Sequence, residues 1–244
     1  LVIIEEKLPP KILVLDIETK PILAYAWRMF DEIRNLQQVI DTGGLLCFAA
    51  RWLGKNETFF YAEWQHGREE MVKAAHRLIS EADAVITYNG DKFDIPKLAA
   101  EFVTLDLPPP PPVTSIDVYK TTKQMGFLSK KLDFVAQALG VGKKVEHEGM
   151  PLWIGCMEGC VDSQTKMKSY NIGDIDILEG VYLKVRPYIK NHPHMGFTPK
   201  RECGACGSSK VHVSKYRRTK AMRIQQLHCQ DCGSYFDGTR EKVV

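Results

Sequence analysis

Residues 11 to 19 read KILVLDIET, a nearly continuous apolar run with two acids, Asp16 and Glu18, set inside it. A run of Ile, Leu and Val without polar alternation has no face to offer to water, so it reads as a strand covered on both sides. Asp16 and Glu18 are two residues apart and leave the same face of that strand. Carboxylates are rarely buried without a partner, and two that share a face repel unless a cation lies between them. On this segment alone an ordinary surface strand remains the competing reading.

The segments that follow fit a mixed α/β layout. GGLLCFAARWL, the break Gly54-Lys55-Asn56 and ETFFYAEW read as a hairpin, and residues 67 to 82 as a helix through Met71, Val72, Ala75, Leu78 and Ile79. AVITY is a short buried strand, after which Asn89-Gly90-Asp91 turns the chain into the helix DIPKLAAEFV, with Pro96 in its first turn. The prolines from Pro108 to Pro112 form a stiff connector rather than a ligand for a polyproline-binding domain. VTSIDVY is the next expected strand and SKKLDFVAQALG a helix ended by Gly140; residues 141 to 164 are expected to be irregular. Met167, Ile175, Leu178, Val181, Tyr182 and Val185 then recur at helical intervals between about Gln164 and Ile189. NHPHMGFTPK has no periodicity, so the expected division is a main domain over 1–190, a linker over 191–199 and a small module over 200–244. The opening LVIIEEKLPPK lacks the pattern of a signal peptide and no run is long enough to span a membrane, which leads to the expectation of a soluble, cytoplasmic protein. The first residue is not Met, so the expectation is that the chain starts a little inside its gene product.

Three further residues could join the two acids. Asp94 sits where a buried strand turns into a helix, a place where α/β sheets keep functional groups, although a helix N-cap would explain it equally. Asp91 reads as a turn residue. Tyr170 and Asp174 are four apart on the last helix and project from one face, where a hydroxyl beside an acid suits the orientation of a water molecule; a half-buried structural pair is the alternative. Asp176 points away from Asp174 and reads as solvent-facing.

Of seven cysteines, four form the pairs Cys203-x2-Cys206 and Cys229-x2-Cys232, each pair followed by glycine. That spacing reads as zinc before it reads as disulfides, and with four thiolates as ligands no position is left for a catalytic water, so the zinc is structural. Cys47, Cys156 and Cys160 read as small buried hydrophobes. From Phe197 onward there are ten Lys and Arg against four Asp and Glu, whereas residues 1 to 196 carry 23 against 26. Lys215, Arg217, Arg218, Lys220 and Arg223 surround Tyr216 between the cysteine pairs, a mixture suited to phosphate contacts with base stacking, protein docking being the other use of such modules.

The order of LDIET at 15–19, YNGDKFD at 88–94 and YNIGD at 170–174 resembles the three exonuclease motifs of the DEDD superfamily, tyrosine type. The second is similar to the corresponding stretch in proofreading domains of family B DNA polymerases, as is SIDVYKTTKQMGFLSKKLDFVAQALGVGKK, which joins the second motif to the third. The whole resembles stand-alone, phage-type exonucleases that end in a zinc ribbon. The resemblance implies a ribonuclease H-like fold, a mixed five-stranded sheet flanked by helices. It implies that Asp16, Glu18, Asp94 and Asp174 hold two Mg²⁺ or Mn²⁺ ions, that Tyr170 positions the attacking water, and that Glu18 with neighbouring backbone contacts a terminal 3′-hydroxyl. His147 lies too far upstream to take the place of Tyr170 and reads as a loop histidine. The implied activity is 3′→5′ exonuclease action on single-stranded or 3′-ended DNA, with RNA possible as substrate and replication or repair proteins as potential partners, and no membrane. A structure-selective endonuclease and a non-cleaving nucleic-acid-binding adaptor are the alternatives.

Overall fold

The structure, a computed structural model, describes residues 10–28, 35–190, 192–196 and 202–243. Strand β1 (Ile12–Lys20) is the middle strand of a five-stranded sheet, and its Leu13, Val14 and Leu15 are all but inaccessible to solvent. Fully burying side chains of this kind stabilises the fold by about 1.5–3 kcal/mol each, which anchors β1 before any polar contact is counted. The sheet order is β5-β4-β1-β6-β7, with β4 (Gly44–Trp52), β5 (Thr58–Ala62), β6 (Ala84–Thr87) and β7 (Thr114–Asp117). β1 pairs antiparallel with β4 and parallel with β6; β4 is antiparallel to β5, and β6 parallel to β7. A small excursion, β2 (Leu23–Ala24) with β3 (Val39–Asp41), joins β1 to β4.

The two faces of β1 serve two layers. Leu13, Leu15 and Ile17 pack with Met71, Val72, Ala75, Leu78 and Ile79 of α2 (Arg68–Glu81) and with Leu98 and Phe102 of α3 (Asp94–Thr104). Ile12 and Val14 pack with Val135 of α5 (Leu132–Ala138) and with Ile175, Leu178, Val181 and Tyr182 of α7 (Val161–Val185). Asp16 and Glu18 belong to the same alternating set as Ile12 and Val14, so register sends them toward α7. The short α1 (Glu63–His66) precedes α2. Among the described residues no helix is long and apolar enough to cross a membrane.

Several expectations need correction. The strand read in VTSIDVY stops at Asp117, whose side chain accepts from the Tyr119 backbone N–H and so starts α4 (Val118–Thr122). The helix at SKKLDFVAQALG begins only at Leu132. The stretch 141–164 is not wholly irregular: it contains α6 (Met150–Met157), which buries Leu152 and Cys156, and α7 begins at Val161. Cys47 and Cys156 are buried as expected, but Cys160 is exposed at the start of α7. Asp176 is solvent-facing, its side chain 60% exposed, yet it pairs with Arg51 of β4 at 2.6 Å, and Glu179 joins the same guanidinium, which fixes α7 against the sheet.

Residues 191 and 197–199 of the expected linker lie outside the described residues. The part that is described packs on the main body, with Met195 against the α7 layer and His192 2.7 Å from the Tyr182 hydroxyl. Beyond it a three-stranded antiparallel sheet, order β10-β9-β8, is built from β8 (Val211–Arg218), β9 (Met222–Cys229) and β10 (Tyr235–Lys242).

Candidate active site

The parallel pairing of β1 with β6 ends at Val14 opposite Ile86, so Asp16 and Glu18 stand beyond it, at the carboxyl end of the parallel strands. Open α/β sheets commonly place ligands at this edge. α7 crosses the same edge. Carboxylate oxygens of Asp16, Glu18 and Asp174 all lie within 4.8 Å of one another. Tyr170 and Asp174, one helical turn apart, are both approached by Lys144 Nζ, and between them on the helix Asn171 donates from Nδ2 to Asp16 Oδ2 at 2.7 Å.

Asp94 reaches the cluster from the turn after β6. Gly90 in that turn lies so close to Thr87 that a Cβ there would sit 2.3 Å from the threonine side chain, so the Asn-Gly pair is a packing requirement. The Asn89 N–H donates to Asp117 at 2.8 Å, and the chain re-enters a helix at Asp94, whose N-cap position is held by Phe93. Asp94 is therefore not the N-cap: it is buried and accepts from the backbone N–H of Ile17 at 3.2 Å. It lies outside the three-carboxylate group, though its charge is felt by Asp16 and Glu18.

The electrostatics of the group are one-sided. Burial, and then the charges of Asp174, Asp94 and Glu18, hold Asp16 well above the ordinary carboxylate range. Burial followed by the charge of Asp174 pushes Glu18 up to about 7. Burial also raises Asp94 to about 6 despite the Ile17 hydrogen bond, and raises Asp174 although Lys144 and Tyr170 pull the other way. Among the described residues, Asp174 Oδ1 is buried with no hydrogen-bond partner. Crowded hard oxygens short of positive charge, one of them orphaned, are a donor set suited to a hard divalent cation.

Sequence alone does not single out Lys144 or Trp153, and His147 reads there only as a loop histidine. Lys144 Nζ lies 2.5 Å from Asp174 Oδ2 and 3.3 Å from the Tyr170 hydroxyl. Burial would lower its pKa, but the charges of Asp174, Tyr170 and Asp16 outweigh burial and keep the ammonium protonated. Trp153 of α6 stands near Glu18, where its indole N–H offsets a small part of the upward shift of that carboxyl. His147 is in a loop, as read, but its ring packs on Tyr170 and Trp153 with centroids 4.9 and 5.1 Å apart. Its Nδ1 accepts from the Gly149 N–H at 3.0 Å, so in the neutral ring Nε2 carries the proton. The only signal in the sequence for Lys144 was its place at the end of the segment joining the second and third motifs. Lys144 and His147, with Tyr88, Asn89, Tyr119, Lys130 and Lys131, line a cleft of about 560 Å³ beside Asp16.

The cysteines form a second, separate group, with all four Sγ atoms of Cys203, Cys206, Cys229 and Cys232 within 4.8 Å of one another. Both turns are built alike: Gly207 donates to the Cys203 carbonyl and Gly233 to that of Cys229, each glycine at positive φ. Lys215, Tyr216, Arg217 and Arg218 lie on β8, Lys220 in the following turn and Arg223 on β9. The Arg223 guanidinium covers the Tyr216 ring at 3.9 Å and pairs with Glu241, and Arg217 pairs with Asp237.

A family model described as the RNase_H superfamily matches residues 13–151, which include Asp16, Glu18, Asp94 and Lys144. No curated protein matches the chain. Among solved structures it is similar to the crystal structure of Trypanosoma brucei RNase D, at 14% sequence identity and a TM-score of 0.45 over 75% of this chain. The aligned part spans 58% of that protein's length. The family match covers more than half of the chain, and with it the chain belongs to the RNase H superfamily.

Proposed function

We propose that this protein is a metal-dependent 3′→5′ exonuclease of the tyrosine-type DEDD class, acting on single-stranded or 3′-ended nucleic acid, with DNA the favoured substrate. The observation that carries this reading is the meeting of Asp16, Glu18 and Asp174 within 4.8 Å, with the Tyr170 hydroxyl joined to Asp174 through Lys144 Nζ. In this reading Asp16, Glu18, Asp94 and Asp174 hold two Mg²⁺ or Mn²⁺ ions. Such ions, when bound, lower the pKa of a water and neutralise charge on the departing 3′-oxygen.

The chain's own residues supply position. Tyr170 is held above its ordinary range by burial and then by the charge of Asp174, so it orients the attacking water and does not take its proton. Glu18, with Trp153 near it, contacts the terminal 3′-hydroxyl together with adjacent backbone. Lys130 and Lys131 in the cleft take phosphates, and Tyr88 and Tyr119 offer faces to bases.

The proposed division is a nuclease domain over 1–190, a linker over 191–199 and a zinc ribbon over 200–244. Four free thiols within one coordination sphere support a structural Zn²⁺. Burial raises the Cys203 and Cys206 thiols, whereas Cys232, 3.2 Å from the Ser234 hydroxyl, is brought down to about 7 against its burial, so one of the four stands ready to ionise. Nucleic-acid contact by Lys215, Tyr216, Arg217, Arg218, Lys220 and Arg223 is part of the same reading.

A time course on 5′-labelled single-stranded DNA with Mg²⁺ or Mn²⁺ tests it. The expected result is a ladder shortening from the 3′ end, absent for Asp16→Ala and on circular DNA. Cutting of circles would replace the exonuclease with an endonuclease, and intact substrate throughout would leave a binding protein. A second expectation concerns Lys144, which occupies the carboxylates in competition with a cation. Removing a unit charge worth about one pKa unit corresponds to about tenfold in binding, so Lys144→Met is expected to tighten Mn²⁺ binding about tenfold in calorimetric titration. Unchanged affinity would mean that the ammonium leaves the carboxylates at no cost.

A further inference from the structure

We propose that the face of the C-terminal sheet carrying His212, His228 and Tyr235 is a stacking platform for the bases of single-stranded nucleic acid. The proposal rests on the reading of this module as a nucleic-acid contact and is independent of the nuclease reading. His228 on the central strand β9 is opposite His212 of β8 and opposite Tyr235 of β10. The three rings form one row across the sheet, with centroids 5.2 Å apart for the histidines and 4.4 Å for His228 and Tyr235. His212 is exposed, Tyr235 is 59% exposed and His228 between them is half-buried, so the row is open at its two ends.

Alternate residues along β9 share the face of His228, and their partners add charge to it. Gln226 is flanked by Lys215 and Asp237, and Ile224 by Arg217 and Arg240. Asp237 bridges Arg217 at 3.1 Å and Arg240 at 3.2 Å, which holds both guanidiniums beside the aromatic row. Three cations against one carboxylate next to three planar rings match a chain of phosphates with stackable bases. The opposite face is less suited: there Tyr216, the aromatic that stood out in the sequence, has its ring covered by Arg223.

The test is fluorescence anisotropy with the full chain carrying Asp16→Ala, zinc-loaded and without added Mg²⁺, against a labelled twelve-nucleotide dT strand and a matching abasic strand. Loss of one stacked base lowers affinity by about five- to a hundredfold, and a partly open row is placed toward the lower end. Tyr235→Ala is therefore expected to weaken dT binding about tenfold and to leave abasic binding unchanged, while Tyr235→Phe keeps the parent affinity. His212→Ala, on the edge strand, is expected to act in the same direction, and zinc content reports that each variant's module is intact. Parent affinity in both alanine variants, or equal losses on dT and abasic strands, would overturn the platform. Because no cleavage is measured, failure here and failure of the nuclease reading are distinguishable.

Discussion

Asp16→Asn is expected to abolish metal-dependent cleavage, by about 10³-fold or more, while raising the melting temperature of the metal-free protein above neutral pH. The loss follows from removing a ligand at the centre of the acid group; metal stabilisation of several kcal/mol corresponds to at least that factor. The gain follows from the raised acids. A carboxyl whose folded pKa lies above its unfolded value contributes stability that is complete below the unfolded pKa and lost as pH rises through the folded one. Glu18, raised from 4.5 to about 7, and Asp94, raised from 3.8 to about 6, place that loss between about pH 4 and pH 7. For Glu18 the shift corresponds to at most about 3.5 kcal/mol, and the metal-free wild type is expected to melt about 5–10 °C lower at pH 8 than at pH 5. The amide that replaces the Asp16 carboxylate can still accept from Asn171 but no longer repels its neighbours. Saturating Mg²⁺ should reverse the order, because only the wild type gains from binding. Melting curves at pH 5, 6.5 and 8, with and without Mg²⁺, read all of this. A flat pH profile in the metal-free wild type would mean that Lys144 already balances the acids.

That balance marks where the sequence stopped being readable. β1 was legible because it is buried on both faces, so its apolar run was unbroken and its acids stood out. The Asn-Gly turn was legible because Gly90 is forced by the Thr87 side chain. Lys144 was not, since a lysine in a loop after Gly142 has no period to place it and only the fold brings it to Asp174. α6 was missed because eight residues make barely two turns and MPLWIGCM is apolar nearly all round, so Trp153 went with it. Residues 21–28 and 35–43 gave no pattern because Ile22, Tyr25, Trp27 and Leu36 are exposed; apolar residues that are not buried carry no periodicity. Tyr216 was singled out by its basic neighbours in sequence, whereas pairing across strands, which a linear reading does not show, sets His212, His228 and Tyr235 side by side on the other face.

The second large effect is expected in the C-terminal module. Its apolar interior is slight, with Ile224 and Leu227 buried beside Cys203 and Cys229, too little to hold three strands without a cross-link or metal. Cys229 is fully buried at the end of the central strand, and its backbone N–H donates to Ser234 in the turn that carries Cys232. Cys229→Ser is therefore expected to take the zinc content from one ion per chain to none and to melt β8, β9 and β10 together. Trypsin should then cut at Lys215, Arg217, Arg218 and Lys220, sites held in a strand and its turn in the intact module. The five-stranded sheet draws its core from α2, α3, α5 and α7, so a protected fragment ending near Lys190 is expected to keep its cooperative melting transition. If the whole chain lost that transition, the packing of Met195 and His192 on the α7 layer would be holding the core together, and the module would be part of one folding unit. Retention of zinc and protease resistance by Cys229→Ser would remove the four-thiolate site itself.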